Sequence, residues 1–294
     1  MRLKIWGARG SIPTPGPETM RYGGNTSCVQ VTLGDGTCVV LDAGTGIRTM
    51  GHAAEAPGGP VTILLTHLHL DHIQGLMFFA PCFDPDTEIV IYGPPAADAP
   101  LLDRIARYIS APLSPVELRE LPCRVSFREA PAGAWRIGSA TVHARAVSHR
   151  GPTLGYRIED GDATLAYIPD HEPALGAPIE TLEDEWISGL ELARGADVLL
   201  HDAQYSDDEY PDHLGWGHCS LSDALAFGAR AEAARMLLFH HEPLHDDDRL
   251  DAMAAQARER WESLGRDPRT LVMAREGMEV VVSVPAACGR GSEG

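Results

Sequence analysis

The chain has 294 residues, 42 acidic side chains against 24 basic ones, and a formal charge of −18. Such a field repels polyanions, and with Lys4 as the sole lysine no basic cluster is large enough to hold a long nucleic acid, which is therefore disfavoured as a partner. No run of about 18 apolar residues occurs, so no helical membrane span is expected.

The N-terminus, Met1 to Trp6, reads straight into a strand and not into a leader peptide, so a cytoplasmic location is expected. Length suits one large layered domain over residues 1–284, with a small, polar, Gly-rich tail over 285–294 expected to be disordered. Six cysteines without a CxxC pair read as buried hydrophobes in a reducing compartment.

In chain order, residues 27–33 and 38–42 read as a hairpin around Gly34-Asp35-Gly36. Val61 to Leu65 is a short apolar run after Gly-Gly-Pro and reads as a buried strand. Directly after it stands Thr66-His67-Leu68-His69-Leu70-Asp71-His72, with three imidazoles and a carboxylate in seven positions. His67 and His69 are two apart, so they share a side at an extended strand end. A turn then brings Asp71 and His72 to a second position nearby, and one loop can supply ligands to two adjacent metals. Imidazole nitrogen with carboxylate oxygen suits zinc, iron or manganese.

Further along, Ala97 to Ser110 reads as an amphipathic helix with Leu101, Leu102, Ile105 and Ile109 on one face, before a Pro-rich link at 112–122. Thr141 to Val147, Leu154 to Ile158, Leu165 to Ile168 and Val198 to Leu200 read as strands. Glu183 to Arg194 and the run Leu221 to Ala234 read as helices. So does Asp247 to Leu264, with His245-Asp246-Asp247-Asp248 as its cap and acidic first turn. The acidic stretch 207–213 reads equally well as a lid or as a plain exposed loop. His171, beside Asp170, reads better as pointing away from a metal than as a ligand.

The HxHxDH stretch after a buried strand resembles the metallo-β-lactamase superfamily of hydrolases. Four further strand-end motifs occur in that family's order: Asp42-Ala43-Gly44 after Val39 to Leu41, His149 after Ala146 to Ser148, Asp170 after Leu165 to Pro169, and His240 after Met236 to Phe239. Trp6 to Pro13, Arg21 to Cys28, Leu199 to Tyr205 and Gly217-His218-Cys219-Ser220 resemble one branch of it. That branch contains ribonuclease Z, class II cyclic-nucleotide phosphodiesterases and the phosphodiesterase of phosphonate degradation.

The resemblance implies an αββα sandwich, two mixed sheets face to face with helices outside, and two divalent metal ions, zinc first, with manganese or iron possible. It implies that His67, His69 and His149 hold one metal, that Asp71, His72 and His240 hold the other, and that Asp170 bridges them. His241 competes with His240 for its role. Asp42 is implied as a hydrogen-bond acceptor behind the histidine loop. His218 is implied to handle the phosphate or protonate the leaving group, and Arg9, Asn25 and Ser27 to touch substrate.

The expected activity is hydrolysis of a small phosphodiester, such as a cyclic nucleotide or cyclic phosphate, by a metal-activated hydroxide, with Asp71, Asp170 and His218 as catalytic residues. The alternatives are a ribonuclease Z-like endonuclease, a lactone or ester hydrolase, and a non-catalytic biosynthetic member of the fold. A homodimer is expected, and a monomer mass by light scattering at micromolar concentration would refute it.

Overall fold

The computed structural model describes residues 1–53 and 59–282. The tail expected over 285–294 lies outside the described residues.

Two seven-stranded mixed sheets carry the architecture. The first is built from β1 (Arg2–Gly7), β2 (Cys28–Thr32), β3 (Cys38–Leu41), β4 (Val61–Leu64), β5 (Glu88–Gly93) and β6 (Arg124–Glu129). The second follows with β7 (Ala134–Ile137), β8 (Ala140–Ala146), β9 (Leu154–Asp160), β10 (Ala163–Ile168), β11 (Val198–Asp202), β12 (Met236–Phe239) and β13 (Leu271–Met273). The last strand, β14 (Glu279–Val281), returns to the first sheet beside β1. In the first sheet β3, β4, β5 and β6 run parallel, and in the second β10, β11, β12 and β13 do. The remaining pairs are antiparallel.

The layers follow from period-two burial. Val39 and Leu41 of β3 point between the sheets, where Leu3, Val31, Val142, Ile158, Tyr167, Leu200 and Phe239 join them in one buried cluster. Cys38 and Val40 of the same strand point the other way, under α1 (Gly46–His52). The short α2 (Leu70–Ile73) and α3 (Leu101–Ala106) lie on that same side of the first sheet, with Ile73, Leu101 and Ile105 in the same cluster. The outer face of the second sheet packs Ile168, Leu199 and Leu238 against α4 (Leu190–Ala193), α5 (Leu221–Arg230) and α6 (Asp247–Ser263). Both faces of the central strands are covered, so those strands are near-continuous apolar runs. The result is the αββα sandwich. Among the described residues no helix is long and apolar enough to cross a membrane.

Three local readings need correction. The helix expected over Ala97 to Ser110 is only α3, because Pro100 precedes it and keeps Ala99 out of helical conformation. Leu102 is 43% exposed whereas Leu101, Ile105 and Ile109 are buried, since neighbours along a helix face different ways. The helix expected over Glu183 to Arg194 is split into a 3₁₀ turn, Asp184–Trp186, and α4, with Gly189 at φ +70° between them. By contrast α6 begins as expected, with Asp246 accepting from Arg249 N. The five described cysteines are free and buried.

Candidate metal centre

The chemistry-bearing residues gather at the carboxyl ends of the parallel strands, where chains leave the sheet and side chains of neighbouring strands converge. Asp42 follows β3 and the histidine loop follows β4. Asp170 follows β10, Asp202 ends β11, and His240 follows β12. His149 comes from the turn after β8 and His218 from the loop before α5. Within the histidine loop the backbone changes character at His69, which is extended and caps α2. His67 and His69 therefore project from extended chain, whereas Asp71 and His72 project from the helix.

This brings together two groups of the expected ligands, each with ligand atoms mutually within 4.8 Å, and two overlapping groups that add His218, one with His149 and Asp170 and one with Asp202 and His240. In the first, Asp71, His72, Asp170 and His240 are all buried. His72 Nε2 lies 3.1 Å from Asp71 Oδ2, 3.1 Å from Asp170 Oδ1 and 3.4 Å from His240 Nε2. His240 Nε2 lies 3.2 Å from Asp71 Oδ2 and 3.3 Å from Asp170 Oδ2. The second group is His67, His69 and His149, with His69 exposed. His149 Nε2 lies 3.3 Å from His69 Nδ1, and Asp170 Oδ2 stands 3.6 Å from His67 Nε2 and 3.8 Å from His149 Nε2. Asp170 thus faces both groups.

The far nitrogens of these rings are held by the protein. Asp42 Oδ2 accepts from His72 Nδ1 at 2.9 Å and from Tyr167 Oη at 2.9 Å, and its carboxylate also takes Thr66 N and Oγ1. His149 Nδ1 donates to Gly217 O at 2.6 Å, and His240 Nδ1 to Gln204 Oε1 at 3.1 Å. A partner on the far nitrogen fixes the tautomer and leaves the near nitrogen as a lone pair. Ser11 N donates to Asp71 Oδ2 at 2.8 Å. Backbone presses close behind two of the rings. A Cβ on Gly10 would sit 2.4 Å from His240 Nδ1, and one on Gly217, at φ +93°, 2.4 Å from His149 Nδ1. Asp42 and His240 themselves hold left-handed backbone, φ 57° and 61°, a costly conformation that the surrounding structure over-determines.

The field at the cluster calls for positive charge. Burial alone would raise Asp71 and Asp170, but the surrounding histidines hold both well below the usual carboxylate range. Burial opposes charge on His72, yet Asp170, Asp71 and Asp42 push it well above its ordinary value, and His240 is raised in the same way. Burial dominates at His67 and His149, which are driven down, His149 to about 4.

The donor set fits divalent metal. His67 Nε2 is buried without a hydrogen-bond partner, and so is Asp170 Oδ1. Two pairs of imidazole nitrogens face each other at 3.3 and 3.4 Å, an arrangement that repels between neutral lone pairs and is stable around a shared cation. Nitrogen with carboxylate oxygen suits zinc, manganese or iron.

His218 stands at the edge of the cluster, 8% exposed, with its ring stacked on His240 at 4.9 Å and edge-on to His149 at 4.9 Å. Its Nδ1 lies 2.6 Å from Asp202 Oδ2. Glu172, 1% exposed, accepts from Gly215 N, Gly217 N and Tyr210 Oη and so pins the loop that delivers His218.

His241 turns away: Nε2 donates to Ala274 O at 2.7 Å, and burial takes the ring down to about 3. His171 Nδ1 faces His201 Nε2 at 2.9 Å, outside both donor groups. Arg9 is fully buried, with its guanidinium on Gly23 O, Glu242 O and His245 O. Asn25 spends its amide and backbone N–H on Glu276, and Ser27 is fully buried, so the fold does not bring these three to the open side of the cluster. In the acidic stretch, Asp207 accepts from Ser222 and Glu209 from Ser206 and His245. Sequence reasoning missed Asp202 as the partner of His218, and also Gln204, Tyr167 and Glu172. The stretch Leu199 to Tyr205 stood out as a strand-end motif, but nothing in it says which ring each polar side chain meets.

Residues 37–241 match the β-lactamase superfamily domain. Ribonuclease Z of Thermosynechococcus vestitus is 30% identical over 220 residues, 60% of this chain and 52% of that protein, so the match spans about half the relative's length. Ribonuclease Z of Kineococcus radiotolerans is 26% identical over 319 residues, 96% of this chain and 95% of that protein. Among solved structures, a diphosphatase from the PhnP family superposes with a TM-score of 0.66 at 17% identity, over 96% of this chain and 98% of that one. The family match takes in all seven proposed metal-binding residues as well as Asp202 and His218, and the chain belongs to the β-lactamase superfamily, in its metallo-β-lactamase fold.

Proposed function

We propose that the chain is a dinuclear metal-dependent phosphodiesterase acting on a small phosphodiester. The observation that carries the reading is the Asp202–His218 pair set against a cluster of seven metal-binding side chains. His67, His69 and His149 would hold one ion, Asp71, His72 and His240 the second, with Asp170 between them and zinc the first candidate. When bound, such a pair polarises the phosphoryl oxygens and acidifies water near neutral pH.

The protein's own groups do the rest. Ser11 N and the Asp42 carboxylate keep Asp71 and His72 aimed inward. Asp202 orients His218 by accepting from Nδ1 and stabilises the imidazolium, whose second proton, on Nε2 at the edge of the cluster, is the one to be moved. An alkoxide is a poor leaving group, and a proton delivered there eases its departure. Burial of the metal-facing atoms excludes bulk water and strengthens each charge interaction.

Ribonuclease Z relatives that align over nearly the whole chain keep an RNA endonuclease as a second reading. The formal charge of −18 disfavours a long polyanion and tips the choice to a small substrate. The deciding experiment is turnover of bis(p-nitrophenyl) phosphate by protein loaded with Zn²⁺ or Mn²⁺, beside Asp71→Ala and beside cleavage of a tRNA precursor. Metal-dependent nitrophenol release lost in the variant, with the precursor left intact, is the expected result. Cleavage of the precursor alone would overturn the small-substrate reading.

A further inference from the structure

A cavity of about 310 Å³ opens beside the three-histidine group, and its lining includes His67, His69, Arg104, Arg107 and Arg150. We infer that it is a subsite for a second phosphate on the substrate, next to the phosphodiester that is cleaved. The inference rests on the function proposed above and narrows its substrate class.

Charge is the first ground. The chain has 24 basic residues against 42 acidic ones, yet three arginines converge here and Asp98 is the sole carboxylate in the lining. Such a concentration runs against the field of the whole molecule and makes a local anion trap. Asp98 neutralises little of it. It meets Arg107 at 3.6 Å with both side chains more than 60% exposed, a weak pair that a ligand can displace.

Hydrogen-bonding capacity is the second. Arg104 is fixed by Nη2 donating to Pro94 O, and its Nε is buried with no partner. Arg150 donates from Nε to Gly215 O at 3.0 Å, which leaves both Nη groups for a ligand. The same Gly215 loop carries Gly217 and His218, so an anion on Arg150 is coupled to the loop that positions the proton donor. Guanidinium forks match phosphate oxygens in pairs, which a lysine does not reproduce.

Size is the third. At about 310 Å³ the cavity takes a phosphate with part of a sugar, and is too small for a folded RNA end.

The test compares thymidylyl-thymidine with the same dinucleotide carrying one extra terminal phosphate, on either the 5′ or the 3′ side, using the metal-loaded full chain. The expected result is a KM about tenfold lower for one phosphorylated form, reduced to parity by R107Q/R150Q and by R104Q. Cleavage of the unphosphorylated dinucleotide should change less than about twofold in R107Q, whose side chain meets only the exposed Asp98. Equal KM for all three dinucleotides overturns the subsite. So does a loss in R107Q/R150Q that is the same with and without the extra phosphate.

Should none of the three be cleaved, the phosphodiesterase reading is what fails. Calorimetric binding of the same dinucleotides then tests the arginines alone: tighter binding of a phosphorylated form, lost in R107Q/R150Q, supports the subsite, and equal affinities overturn it.

Discussion

The two donor groups of the cluster are built differently. Asp71, His72, Asp170 and His240 are all buried, mix nitrogen with oxygen, and are backed by Asp42, Gln204 and Ser11 N. His67, His69 and His149 are all nitrogen, with His69 exposed and the arginine-lined cavity alongside. Burial strengthens electrostatics but makes an unpaired charge costly, so the first group needs a cation more than the second does. The buried half is suited to holding its ion, and the open half to meeting substrate.

The largest expected effect tests that division. Asp71→Ala should lower phosphodiester turnover by about a thousandfold or more and cost one metal per chain, read by elemental analysis. His69→Ala should cost less of both, and in a chelator titration the wild-type chain should release one ion well before the other. Equal losses from the two variants would break the comparison.

Next in size, His218→Ala should lower kcat by about a hundredfold or more for an alkoxide leaving group. The same variant should lose under about tenfold with p-nitrophenolate, which leaves without help. An equal loss with both leaving groups would reassign the residue from proton delivery to binding.

Smaller again, Asp42→Asn should weaken metal affinity about 10- to 100-fold, most in the buried half, because the carboxylate meets His72 directly and reaches His67 only through Thr66 Oγ1. Isothermal titration of the two sites checks it.

The smallest effect concerns the frame that both halves share. Burial takes His201 down to about 4, with Nδ1 donating to Asp202 O. The unfolded ring, near 6.5, binds a proton that the folded ring refuses, so stability is complete above about 6.5 and falls as pH falls toward 4. The loss should reach about 2 kcal/mol by pH 5, and His201→Asn should flatten that limb in denaturant titrations across pH. An unchanged slope would place the acid sensitivity in the cluster instead.

Much of the site was legible because His67, His69, Asp71 and His72 sit within one loop, where spacing alone implies convergence. His149, Asp170 and His240 were legible only as strand ends arrayed in a family's order. Asp202, Gln204 and Glu172 were not, since a carboxylate at a strand end looks the same whether it backs an imidazole or faces water. The arginine cavity was invisible too, since Arg104 and Arg107 on or beside α3 and Arg150 after β8 meet only when the two sheets are stacked. The misread helices failed for local reasons that Pro100 and Gly189 supply.

By itself the sequence determined the alternation that buries both faces of β3, β4, β11 and β12, and with it the layers, together with the donor types at their ends. Only the tertiary structure decided that His240 faces Asp71 and Asp170 while His241 turns to Ala274 O, and that Asp202 stands behind His218. The reason is geometric. Periodicity sets which face a side chain takes, but hydrogen-bond partners at strand ends depend on how far each neighbouring chain runs before it turns, and that is settled by packing between the sheets.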